Sequence, residues 1–371
     1  MRVKYSVAVQ IGHLGAGLGN EVRALAKARI GARILGAQLV EQAWWMNPRH
    51  YGEDLGYNLV APVRANLSRA WTPTVTIGRA EFSGWDYEQT MRELVPKLPK
   101  SFVLRHASGM AGGLLAIASE RAFLAERLGV VQSGQAGQSG QSGQAAQAEQ
   151  GSPVTTIGVH VRCGDFATGE VQPGVFNCRL DMAWTEAAAV AVAKGCIEPT
   201  RFLVFTDAGG EDLELVKHMV KSLSAYGPAE LSSRRVLDDL RLLAGCDWII
   251  PSVSSFSMLA IYLSTARYVW PAAHLVEHGP LGSIWGYEQE VAAGPVAAAV
   301  EATNAGVAPE WFRAVPFEVR SSDAVSNWVR EVSEFVPNPK FSEKWSNSGD
   351  LILCGVAPRW SSSGTLMTLE D

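Results

Sequence analysis

The strongest constraint is a rhythm that runs from Thr155 to Trp270. Short apolar runs alternate there with helix-length stretches. Thr155–Val161, Arg201–Phe205, Asp247–Pro251 and Tyr268–Trp270 read as strands. Asp181–Lys194, with Asp181 as N-cap, Asp212–Ser224, Asp238–Ala244 and Phe256–Ser264 read as the helices between and after them. Strands separated by helical crossovers predict a parallel, doubly wound sheet with its ligand edge at the carboxyl ends of the strands.

The first part of the chain follows a looser version of the same pattern. A strand over Tyr5–Ile11 meets a glycine-rich turn and then a helix over Glu21–Leu35. Gln38–Gln42, Thr74–Ile77 and Ser101–Leu104 read as strands, and Tyr87–Leu94 and Gly113–Leu128 as helices. Residues 132–152 interrupt this order with Gln, Gly, Ser and Ala and no large apolar side chain. Such a segment buries too little surface to order itself, so it reads as a flexible insertion or linker. The expected division is an α/β domain over 1–131, the insertion over 132–152, a Rossmann-like domain over 153–293 and an unplaced tail over 294–371.

Length and composition narrow the classes. At 371 residues and 47% hydrophobic content, two or more packed domains are expected without disulfide or metal staples. The net charge of −5 argues against a general nucleic-acid binder. Five scattered cysteines, none in CxxC spacing, argue against a disulfide framework and a structural zinc site. Lys4, Ser6 and Gln10 break the apolar opening stretch, which therefore does not read as a signal peptide. No run approaches the ~18 apolar residues of a membrane span. The expectation is a cytoplasmic protein with no metal, no resident cofactor and no membrane span.

Four constellations carry candidate chemistry. Gly15, Gly17, Gly19 and Asn20 lie between a strand and a helix, where backbone amides can approach a phosphate. The same turn also fits a dinucleotide fingerprint with Glu41 on the ribose, although Asn20 stands where that fingerprint wants a small residue. A tight turn without ligand is the third reading. His160 and Arg162 alternate at the end of a strand, followed by Cys163, Gly164, Asp165 and Phe166. Arg162 suits a diphosphate, or else forms an ion pair with Asp165. Asp207 ends a strand and is either a polar-ligand acceptor or a helix cap. A helix from Asp239, a buried strand and the serine turn Ser252, Ser254, Ser255 and Ser257 form the fourth, whose hydroxyls and free amides either meet phosphate or simply cap a helix.

In this order, Gly17-Leu18-Gly19-Asn20, His160-x-Arg162-x-Gly164-Asp165-Phe166, Phe205-Thr206-Asp207 and Asp239 through Ser257 resemble the α-1,2-fucosyltransferase family. They are also similar to the wider superfamily with α-1,6- and protein O-fucosyltransferases. The resemblance implies a GT-B-like α/β architecture of two Rossmann-like domains facing a cleft, with 1–131 on the acceptor side. It implies metal-independent, inverting transfer of fucose from GDP-fucose to a glycan or other hydroxyl acceptor. Nucleotide-sugar binding would fall to His160, Arg162, Asp207, Ser254, Ser255 and Ser257, with Gly17, Gly19 and Asn20 facing the diphosphate. Arg162, Asp165 and His13 are the catalytic candidates, and Glu21 and Asp207 are further candidates for the base. His50 and His106 sit in loops near the expected cleft but read as surface or packing histidines. The chain departs from the family at Cys163, where a second Arg is usual, at Ala208, where a second acid is common, and at Met258-Leu259-Ala260, where Trp-Trp-Gly is expected. An NAD-dependent oxidoreductase and a catalytically inactive nucleotide-sugar-binding relative are the alternatives.

Overall fold

The structure is a computed structural model that describes residues 6–9, 17–40, 74–77, 87–97, 103–106, 113–130, 153–166, 179–271, 284, 317–321 and 351–356. These fall into two compact units. One holds the described residues up to Leu128 and Ile284. The other starts at Gly129 and includes the two late strands.

The first unit contains a four-stranded parallel sheet in the order β2-β1-β4-β3, formed by β1 (Ser6–Val9), β2 (Gln38–Val40), β3 (Thr74–Ile77) and β4 (Val103–His106). Helix α1 (Leu18–Leu35) links β1 to β2, and α2 (Tyr87–Leu94) precedes β4. The stretch expected as one helix over Gly113–Leu128 is a 3-10 segment, Leu114–Glu120, followed by α3 (Arg121–Leu128), with a break at Ile117 (φ −119°, ψ 22°). Helix α1 starts three residues before the expected Glu21, because the amides of Asn20 and Glu21 both bond the Gly17 carbonyl. Strand β4 is displaced from the expected Ser101–Leu104 and ends on His106, which is therefore a strand residue and not a loop residue.

The second unit is built on β5 (Thr155–Val161), β6 (Thr200–Thr206), β7 (Ala229–Leu231), β8 (Trp248–Ile250) and β9 (Arg267–Pro271), with β10 (Phe317–Ser321) and β11 (Leu351–Val356). The sheet order is β10-β11-β9-β8-β5-β6-β7. The five strands from β9 to β7 are parallel. Counted from β5, their order is the 3-2-1-4-5 of a Rossmann-like sheet. The tail adds β11 and β10 antiparallel at one side.

Four helices cross between these strands: α4 (Met182–Gly195), α5 (Gly210–Leu223), α6 (Val236–Ala244) and α7 (Ser255–Leu263). Alternation along β5 divides the two layers. Ile157, Val159 and Val161 enter a buried cluster with Ala188, Ala189 and Val192 of α4 and Val216, Met219 and Leu223 of α5. Gly158 and His160 face the other way, towards α6 and α7. A Cβ at Gly158 would lie 2.7 Å from Leu243 Cδ1 and 2.8 Å from Cys246 Sγ, so only glycine lets α6 pack this closely.

Candidate functional site

A doubly wound sheet binds ligands outside the carboxyl ends of its strands, at the point where strand order reverses. Here that point lies between β5 and β8, and the sequence places its polar residues there. Arg162 to Phe166 follow β5, Asp207 follows β6, and Pro251 to Ser254 follow β8 and lead into α7.

Arg162 is held from two sides. Its Nη1 bonds Asp207 Oδ2 and its Nη2 bonds Asp165 Oδ1. Asp207 is fixed further by the Cys163 amide, which donates to Oδ1 at 2.7 Å. Residues Cys163 to Phe166 close a turn, with the Phe166 amide donating to the Cys163 carbonyl at 2.8 Å. The absence of a side chain at Gly164 makes this possible, since a Cβ there would collide with the Asp207 carboxylate. The Phe166 ring lies 5.1 Å from the guanidinium carbon. The ion pair expected with Asp165 is formed, and the guanidinium belongs to the residue just past the carboxyl end of β5.

Behind Arg162 lies a buried polar cluster. His160 Nδ1 is 2.7 Å from Ser257 Oγ and 2.8 Å from Ser252 Oγ. Ser252 Oγ is 2.9 Å from Ser254 Oγ, and the Ser252 amide donates to Ser257 Oγ at 3.2 Å. Ser254 is the N-cap of α7 and accepts from the Ser257 amide at 3.3 Å. The Phe256 ring packs on the imidazole at 4.9 Å. Burial, with the Arg162 charge adding to it, pushes the His160 imidazole down to about 3, so the ring is neutral at physiological pH. Ser255, the first residue of α7, is half-buried.

The sequence did not single out Arg179 and Asp212. Arg179 makes a bidentate pair with Asp212 at 2.6 and 2.7 Å. Its charge reaches Asp207 and the Cys163 thiol. The guanidinium holds the Asp212 carboxyl below the usual carboxylate range. Burial pushes the Cys163 thiol up, which removes it as a nucleophile near neutral pH.

The remaining expected residues belong to the first unit or fall outside the description. Gly17 is the N-cap of α1, and Gly19 and Asn20 are in its first turn. Glu21 is 4% exposed, inside that unit's core. His13, Glu41 and His50 lie outside the described residues, as do residues 131–152. Among the described residues, no group of three or more His, Cys, Asp or Glu side chains is placed to hold a metal ion. No helix among them is long and apolar enough to cross a membrane.

No family model and no curated protein matches the chain. Among solved structures, it is similar to crystal structures of POFUT1 in complex with GDP-fucose, at 11% and 12% identity in two crystal forms. It is also similar to POFUT1 in complex with GDP, at 9% identity. Each likeness covers 70% of this chain and 93% of that chain, with a TM-score of 0.36. At that score the likeness carries no functional argument, and none of these structures represents the α-1,2 family.

Proposed function

We propose that the protein is a nucleotide-sugar-dependent glycosyltransferase that transfers fucose from GDP-fucose to a hydroxyl acceptor. The observation that carries the reading is Arg162 at the end of β5, at the reversal point of the 3-2-1-4-5 sheet, with the serine-capped α7 following the neighbouring strand β8. A guanidinium and free helix amides are the groups that stabilise charge developing on a departing diphosphate. The choice of guanine and fucose rests on the sequence resemblance alone. The finer architecture, a GT-B-like pair of Rossmann-like domains with the acceptor on the side of 1–131, belongs to the same proposal.

In this reaction the acceptor oxygen forms a bond to the anomeric carbon as the bond to the diphosphate oxygen breaks. GDP leaves with the electron pair, and the acceptor proton passes to a base. Asp165 and Asp207 are the described carboxylates beside Arg162, and His13 is the further candidate from the sequence. His160, neutral and buried, serves as a positioning group and takes up no proton near pH 7.

One observation favours a second reading. β1, α1 and β2 form a parallel strand-helix-strand unit, and the sequence between its first two elements is glycine-rich, the context that a dinucleotide fingerprint requires. An NAD-dependent oxidoreductase would use that turn instead. Thermal shift with GDP, GDP-fucose and NAD decides between them, since stabilisation by NAD alone overturns the transferase. GDP release with candidate acceptors then separates an active enzyme from an inactive nucleotide-sugar-binding relative.

A further inference from the structure

We propose that Asp165 is an exchangeable partner of Arg162, occupying part of the guanidinium in the empty protein and giving way to a phosphate oxygen when a nucleoside diphosphate binds, while Asp207 stays in place. This rests on the reading that the diphosphate docks at Arg162.

The two carboxylates on Arg162 are held differently. Asp207 carries two ties, to Arg162 and to the Cys163 amide, and it fills the space over Gly164. Its retreat would strand a backbone donor as well as a guanidinium nitrogen. Asp165 sits three residues after Arg162 in the turn closed by Phe166, and its side chain is 51% exposed.

Charge supplies the reason for the exchange. Around Arg162 and Arg179 stand, among the described residues, three carboxylates, Asp165, Asp207 and Asp212, against the two guanidinium groups. A diphosphate approaching this edge meets repulsion as well as the guanidinium. A guanidinium binds an oxyanion best through two parallel N–H donors, and Asp165 takes one of the terminal nitrogens. Exchange of one anion for another at Nη2 keeps that nitrogen bonded throughout and lowers the repulsion.

The test is titration calorimetry of GDP into wild type, Asp165→Asn, Arg162→Met and the double variant, with melting curves to show that each is folded. Asp165→Ser runs in parallel, since an Asn side chain can itself accept from the guanidinium. Removal of the competing carboxylate should tighten GDP about two- to fivefold, the factor that a partly exposed ion pair is worth. It should have no effect in the Arg162→Met background. Unchanged or weaker binding by both Asp165 variants, while Arg162→Met binds less GDP, overturns the exchange and leaves the diphosphate site standing. Equal tightening in both backgrounds marks general charge repulsion and also overturns it. Arg162→Met binding GDP as wild type does, or no GDP binding by any form, overturns the site and the exchange together.

Discussion

His160 Nδ1 and the Ser257 hydroxyl oxygen stand 2.7 Å apart in a buried cluster, although 97 positions separate them in the chain. The contact joins the end of β5 to the start of α7, and it binds the imidazole in its neutral form. Unfolded, this histidine takes up a proton as pH falls through about 6.5. Folded, burial and Arg162 delay uptake to about 3. The stability it contributes is therefore complete above about pH 6.5 and is lost between there and pH 3. His160→Gln should flatten the fall of stability between pH 6 and pH 4, by at most about 1.4 kcal/mol per pH unit. Parallel stability-pH profiles for the two proteins would refute this.

The serine turn allows a graded comparison. Ser254→Ala removes the N-cap of α7 and should cost about 1 kcal/mol in urea unfolding. Ser257→Ala leaves the buried Ser252 amide without its acceptor and takes a partner from His160, so the cost should be about 1–3 kcal/mol. The reverse ranking would mean that the cap, and not the imidazole cluster, organises the turn.

Gly164→Ala should expel the Asp207 carboxylate from its place. Loss of a charge-assisted contact is worth about 1.5–3 kcal/mol, so GDP affinity should fall about tenfold or more, and a fold intact by circular dichroism would locate the damage at the site. Wild-type affinity in Gly164→Ala would show that Asp207 has no part in holding Arg162 for the ligand.

Arg162 separates binding from catalysis. If it meets charge that grows on the leaving diphosphate, Arg162→Ala should lose about 3 kcal/mol of transition-state stabilisation, with kcat falling as well as KM rising. Arg162→Lys keeps the charge and loses the planar fork, so it should remain badly impaired. A purely structural ion pair with Asp165 and Asp207 predicts a lower melting temperature and near-normal kcat instead.

Turnover should also be independent of divalent metal, because the proposed neutralisation of the diphosphate falls to Arg162 and helix amides. GDP release in excess EDTA is the measurement. Loss of activity restored by magnesium or manganese would refute it.

Most of the second unit was legible because parallel strands buried on both faces announce themselves as continuous apolar runs. Arg162, Asp207 and the serine turn follow such runs, so the sequence already placed them at one edge. Strands β10 and β11 were not legible, since β11 pairs with β9 about 80 positions earlier in the chain, β10 pairs in turn with β11, and no local period marks either. The start of α1 was missed because glycines 17 and 19 weigh towards a turn, whereas packing buries Leu18 and Gly19 as helix. Arg179 and Asp212 had no signal at all, as a pair 33 residues apart that no repeat or motif links.

The strand order also governs when the site can exist during synthesis. β5 is the central strand of its parallel set, flanked by β6 and β8, so one side of it pairs early and the other waits for Trp248–Ile250. Contacts of such long sequence separation form slowly. A nascent chain that ends short of Trp248 carries β5 with an open edge and a histidine whose hydroxyl partners, Ser252 and Ser257, have not yet been translated. Ribosome-stalled chains of increasing length should therefore gain protease resistance around His160 only once α7 has emerged.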